Sequence, residues 1–162
     1  MKCIMCGNKT MQASREDYIY DRHGVAVTLV GIRMLRCSSC GEEDVEIPRI
    51  AELDRVIARH LIERTGHLVG AEIRLLRKFL GRSGADFAEL IGVAPETVSR
   101  WENGHQMMDR GHENTLRLLA ARSAPIDDYR VWDALRAIDQ HTEPKSQVIR
   151  LRPEADTWAD AA

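Results

Sequence analysis

The four cysteines of the chain stand as two C-x-x-C pairs, Cys3/Cys6 and Cys37/Cys40, with 30 residues between them and a glycine after each, Gly7 and Gly41. A C-x-x-C-G turn aims two sulfurs at one point and backbone N–H groups at those sulfurs, the form of a zinc knuckle. Two knuckles give a closed tetrahedral site of four sulfurs, the pattern of structural zinc. Disulfides need an oxidising compartment, and the N-terminus MKCIMCGN has no secretory h-region to send the chain to one. A redox C-x-x-C needs neither duplication nor the glycines. Iron, in an iron–sulfur centre or a rubredoxin-like site, shares the spacing and stays open as the other metal. Catalytic zinc keeps a free fourth position, which four thiolates do not leave.

Between the knuckles the sequence is of β type. Glu16–Arg22 carries Tyr18, Ile19 and Tyr20, His23-Gly24 is a turn signal, and VAVTLV over 25–30 is rich in β-branched residues. Met34-Leu35-Arg36 then leads into the second knuckle. This predicts a zinc ribbon over 1–47, a small hairpin sheet with the metal at its open end. So small a core leaves much of the folding free energy to the metal. The acidic run Glu42, Glu43, Asp44 and Glu46 reads as a solvated loop, with a contact surface for a basic protein as the sharper alternative.

Pro48 opens a linker helix over 48–66. Ile50, Leu53, Ile57 and Leu61 form one apolar stripe, for a rigid spacer or for a second copy of the chain, and Thr65-Gly66 ends it. Gly70 opens a further helix with Ile73, Leu76 and Phe79 or Leu80 inward and its basic residues outward. In SGADFAELIGVAPETVSRWENG, residues 83–104, Phe87, Ala88 and Ile91 share one helical face and Val98 and Trp101 another. Gly92 lies at the sharp bend, and Ala88 is small where a second helix would cross. This is the helix-turn-helix pattern, and it leaves Glu96, Thr97, Ser99, Arg100 and Asn103 on or beside the face that would enter a DNA major groove. A closing helix with Leu116 and Leu119 or Ala120 inward, and a last one through Tyr129, Trp132, Leu135 and Ile138 capped by Asp127 or Asp128, complete a domain over 67–140. Residues 141–162 are polar and proline-punctuated and read as a tail without order, within which QVIRLR has the look of a strand. The fold class is thus α+β: a zinc ribbon followed by an all-α helix-turn-helix domain.

The segment TVSRWENG after a Gly-Val turn resembles the helix-turn-helix domains of phage-repressor-type regulators. The chain departs from them at Gly84, where they carry Gln, and at Ala94-Pro95, where they carry Ser or Thr. The order of modules, together with GVAVTLVGIRMLRCSSCGEE, resembles the MqsA-type antitoxins and the wider YgiT-type zinc-finger regulators over about Met1 to Arg122. That resemblance implies one structural zinc on Cys3, Cys6, Cys37 and Cys40, and a C-terminal domain that dimerises and binds a palindromic operator. It further implies a zinc domain for protein contacts that in some members holds a cognate RNA-cleaving toxin, and base-facing positions at Glu96 and Arg100. Glu96 stands where those relatives carry an amide.

A formal charge of −2 over 162 residues gives no global basic signature, and 66–125 holds eight Lys/Arg against seven Asp/Glu. DNA binding then needs Arg74, Arg77, Lys78, Arg82 and Arg100 to cluster, because phosphate neutralisation supplies most non-specific affinity. No apolar run reaches membrane-spanning length, so the expectation is a soluble cytoplasmic protein. No nucleophile–base, paired-carboxylate or phosphate-loop constellation occurs, which argues against an enzyme. The sequence reading is therefore a dimeric, autoregulating DNA-binding repressor and antitoxin. The alternative is a module whose main task is to sequester a toxin through the ribbon.

Overall fold

The computed structural model describes residues 2–7, 11–123, 146, 148–155 and 157–161. They fall into two compact units. The first comprises Met1–Tyr20, Ala26–Leu53 and Ile149–Ala162, and the second Asp21–Val25 and Asp54–Val148.

The first unit is built on a hairpin, β1 (Met11–Arg22) and β2 (Val25–Cys37). Its turn residues, His23 and Gly24, both have positive φ (58° and 89°), as the two-residue turn that matches strand twist requires. Val25, Val27 and Leu29 of β2 are buried, and the buried face then passes to Ile32 and Met34. The change of parity falls at Gly31, whose φ of 68° marks a bulge. Asp17 accepts from the Gly31 N–H (3.2 Å), and the Gly31 carbonyl accepts from Arg15 (3.2 Å), so the bulge is held from the neighbouring strand.

The acidic run after the second knuckle is a strand and not a loop. β3 (Glu43–Glu46) pairs antiparallel with β2, setting Glu46 opposite Arg33 and Glu43 opposite Arg36. The facing side chains form ion pairs at 2.8 and 2.7 Å, and Arg36 also binds Glu16 at 2.7 Å. Cross-strand charge pairing is what makes this polar run a strand.

The expected tail is likewise corrected over part of its length. β4 (Ile149–Pro153) runs parallel to β2, with Val27 opposite Ile149 and Leu29 opposite Leu151, and β5 (Trp158–Asp160) returns antiparallel to β4. The sheet order is β1-β2-β4-β5, with β3 also on β2. Ile149, Leu151 and Trp158 are buried. A polar segment thus carries one apolar face, too short to show as a pattern. QVIRLR, expected as a strand, covers all of β4 but its last residue.

The helix α1 (Ile50–Glu63) has the expected stripe, shifted toward its C-terminal half: Leu53, Val56, Ile57, Leu61 and Ile62 are buried while Ile50 is half exposed. The stripe is covered within the chain, so it does not offer a face to a second copy. The second unit continues with α2 (Gly70–Phe79), α3 (Gly84–Ile91), α4 (Pro95–Glu102) and α5 (Arg110–Ser123). Helix α2 packs against α4 and α5, and α3 against α4. Leu68, Ile73, Leu76, Phe87, Val98, Trp101, Met108, Leu116 and Ala120 form the core. The last expected helix, through Tyr129 and Ile138, lies outside the described residues.

This unit also buries charge, which helical periodicity does not reveal. Glu72, Arg77, Glu113, Arg117 and His67 are all buried. Arg77 in particular, expected outward on α2, grips Glu102 of α4 through Nε (2.5 Å) and a terminal nitrogen (3.0 Å). Arg64 and Glu72 pair at 2.5 Å, and the Glu72 carboxylate also accepts the Val69 N–H (2.9 Å), capping the start of α2.

Candidate functional site

Each knuckle closes in the same way. The Gly7 N–H donates to the Cys3 carbonyl and the Gly41 N–H to the Cys37 carbonyl, both at 3.0 Å, with each glycine at φ 73°. This left-handed position is why glycine follows both pairs. Cys37 is the last residue of β2, so the strand delivers its sulfur directly, and the Cys37 N–H donates to the Glu42 carbonyl (2.8 Å) to turn the chain into β3.

The four sulfurs converge. All lie within 4.8 Å of one another, with Cys3 and Cys40 3.6 Å apart and Cys6 and Cys37 3.5 Å apart. A tetrahedron with zinc–sulfur bonds of about 2.3 Å has edges of about 3.8 Å, so the cluster fits that ion. One sulfur of each knuckle is buried (Cys3, Cys37) and one exposed (Cys6, Cys40). Hydrogen bonds from the backbone of Cys40 and Ser39 outweigh burial and hold the Cys37 thiol down at about 6. At Cys40 the Glu42 backbone pulls the thiol down, but the facing Cys6 and Cys37 sulfurs and burial together push it up to about 12. A cation at the centre is what allows all four to be thiolates. The donor set is soft and closed, which makes this a structural zinc site with no position for a reacting water.

The second site is the face of α4. Ser83 caps α3: its hydroxyl accepts the Asp86 N–H (3.1 Å), the Asp86 carboxylate accepts from the Ser83 N–H (3.3 Å) and hydroxyl (2.6 Å), and these bonds hold Asp86 below the usual carboxylate range. Gly92 ends α3 at φ 73°, and the Val93 N–H donates back to the Ala88 carbonyl (2.9 Å). Ala94 gives α4 no side-chain cap, and Pro95 takes its first position, where a missing N–H costs nothing. Phe87 and Ala88 of α3 and Val98 and Trp101 of α4 are buried. The approach of α2 to the end of α4 is so close that a Cβ on Gly70 would lie 2.5 Å from the Glu102 carbonyl oxygen and 2.7 Å from that of Trp101. A glycine opening a helix was the one signal of this contact in the sequence.

Of the five residues expected on the groove face, Glu96, Ser99 and Arg100 are exposed and Thr97 is half-buried. Asn103 is exposed but engaged: its amide nitrogen donates to the Ser99 carbonyl (2.9 Å), and its oxygen accepts from Arg74 (2.9 Å). It joins the end of α4 to α2. The expected basic cluster also divides, because Arg74 and Arg77 both bind Glu102 while Lys78, Arg82 and Arg100 are exposed. Glu102, which organises two of the arginines, stands within TVSRWENG, but nothing in that segment points to its partners on α2.

Residues 1–128 match the family described as the antitoxin component of a bacterial toxin-antitoxin system, MqsA, a span that includes both the cysteine cluster and helices α2 to α5. No individual curated protein matches the chain. Among the described residues no helix is long and apolar enough to cross a membrane. With the family match extending over more than three quarters of its length, the chain belongs to the MqsA antitoxin family, a non-enzymatic antitoxin with a four-cysteine zinc site whose family implies a cognate toxin as partner.

Proposed function

We propose that this antitoxin is also a sequence-specific DNA-binding repressor that acts as a homodimer on a palindromic operator of its own. The observation that carries this reading is α4. Two of its side chains, Val98 and Trp101, anchor it in the core, while Glu96 in its first turn, Ser99 in its middle and Arg100 in its last turn stand exposed. A recognition helix needs this division, since one face must be rigidly held and the other free to meet base edges. In the groove Arg100 would make a bidentate pair with guanine, and Glu96 would accept from cytosine N4. Lys78 and Arg82, exposed around the end of α2, and Thr97 and Ser99 of α4 are suited to phosphate contacts. Half-sites about one helical turn apart follow from two-fold symmetry. Selection of bound duplexes from a random library should return such a site. Arg100→Ala should then weaken binding by about 1–3 kcal/mol and relax preference at one base pair. Equal affinity of parent and variant for the selected site would remove Arg100 from the reading.

A second reading, sequestration of the toxin through the ribbon, has its own support at the zinc end of the sheet. Glu43 and Glu46 are paired to arginines, but among the described residues Glu42 and Asp44 have no ion pair. With Lys2, Ile4, Met11 and Glu43 they line a shallow groove, and Ile4 is 87% exposed. An apolar wall beside these carboxylates suits a Lys or Arg side chain of a basic partner, stem on the wall and charge on the rim. The paired change Glu42→Gln and Asp44→Asn should weaken toxin binding tenfold or more and flatten its salt dependence, leaving metal content and operator affinity unchanged. Unchanged toxin affinity would exclude this groove.

A further inference from the structure

The segment beyond the family match ends in β4 and β5, and both are in the sheet of the zinc-bearing unit. We infer that the C-terminal segment is a built-in strand ligand of that unit: it docks on the β2 edge, and Arg49 is the latch that holds it there. The inference is independent of what the antitoxin binds.

Three observations carry it. The first is the register. Ile149 to Leu151 lie parallel to Val27 to Leu29, the most buried stretch of β2, and Ile149 and Leu151 are themselves buried. Without β4 this part of β2 would be a bare, apolar edge next to the stretch covered by β3, the kind of edge that folded proteins cover.

The second is Arg49. Among the described residues it is one of two non-glycine positions with positive φ (47°), a conformation unfavourable for an L-residue, and it stands just before α1. Its guanidinium donates to the carbonyls of Ala155 (2.8 Å), Glu154 (2.7 Å) and Thr157 (2.8 Å), all in the turn between β4 and β5. A strained backbone that aims a five-donor side chain at three carbonyls of a segment more than a hundred residues away marks a site with a purpose.

The third is closure of the segment on itself. The Glu154 N–H donates to the Thr157 carbonyl (2.8 Å), the Ala161 N–H donates to the Arg150 carbonyl (2.9 Å), and Trp158 is buried. The segment closes into a hairpin that presents one strand, the mode of a peptide that binds by adding to a sheet edge.

It follows that the zinc-bearing sheet is assembled from residues 11–46 and 149–160 and needs the later segment to cover the β2 edge. Amide exchange on the whole zinc-loaded chain tests this. Arg49→Gly removes the latch while easing the backbone, and should raise exchange tenfold or more at 27–29 and 149–151, leaving α2 to α5 as they were. A chain stopped after 145 should exchange faster still at 27–29 and yield its metal to a chelator at least ten times faster. The synthetic peptide 146–162, added in trans, should reverse both effects saturably. Unchanged exchange at 27–29 in Arg49→Gly and in the shortened chain would overturn the inference. Exchange at 27–29 in the intact chain that rises on dilution would show a second copy donating the segment, and would overturn docking within one chain.

Discussion

Cys37→Ser is expected to reduce bound zinc from one ion per chain to almost none, as read by native mass spectrometry, and to open the end of the sheet that carries the site. Serine offers a hard, protonated oxygen in place of a thiolate, and zinc in a soft, closed set gains most of its affinity from sulfur. Cys37 is the position where this loss acts furthest, because it ends β2, is buried, and faces Cys6 of the other knuckle at 3.5 Å. The metal is the cross-link between residues 3–6 and the end of β2. Structural zinc is worth about 10–16 kcal/mol in small zinc-dependent folds, against total stabilities of about 5–15 kcal/mol for ordinary domains. Even a fraction of that exceeds what β3 supplies by its cross-strand pairs, which contribute about 0.2–1 kcal/mol each. Amide protection should therefore fall over 33–46, while α2 to α5, which contain no cysteine, keep theirs. A metal-free variant with unaltered exchange over 33–46 would show that the hairpin core alone holds the site, and the structural role of zinc would be lost.

What the sequence disclosed and what it hid divide along physical lines. The cysteine cluster was legible because ligand spacing and the two glycines encode a local geometry, and both glycines have the φ that geometry demands. The hairpin and the α3–α4 pair were legible for the same reason: His23-Gly24 and Gly92 are turn positions whose conformation few residues adopt. Features that depend on distant partners were not legible. β3 is a strand because Arg33 and Arg36 face its glutamates, and those arginines lie before the knuckle. For β4 the strand itself shows in QVIRLR, but its partner does not, because that strand is more than a hundred residues earlier. Buried charge was the other blind spot. Arg77, with the other basic residues of α2, reads as solvated because charge usually is, and pairing across helices is invisible to periodicity. At the candidate DNA face the effect is largest, since Arg74 and Arg77 hold Glu102 in place of phosphate.

Arg117→Met is expected to destabilise the helical unit by about 3–5 kcal/mol, the cost of breaking a buried ion pair from one side. Arg117 on α5 has no exposed surface. Its Nε and one terminal nitrogen donate to Glu113 Oε1 (3.1 and 2.8 Å). The same terminal nitrogen reaches the Gly66 carbonyl (2.7 Å), and the other donates to the carbonyls of Leu61, Ile62 and Arg64 (3.1, 2.8 and 2.7 Å). The last carbonyls of a helix have no partner within it, and here Arg117 supplies both hydrogen bonds and positive charge to the end of α1. Burial pulls the Arg117 pKa down and Glu113 works against this, so the pair is stable only as a pair. Methionine fills similar space but leaves the Glu113 carboxylate buried with the Leu68 N–H (3.2 Å) and His67 (2.8 Å) alone, and the α1 carbonyls unanswered. The double variant Arg117→Met, Glu113→Leu removes both charges and should recover part of the loss, though not the part due to the carbonyls. Urea unfolding followed by helical circular dichroism decides it. A single variant within about 1 kcal/mol of the parent would mean that this network behaves like a surface salt bridge. The consequence reaches the operator-reading proposal, because the segment that Arg117 and Glu113 hold, Leu61 to Leu68, leads directly into α2, the helix against which α4 is clamped.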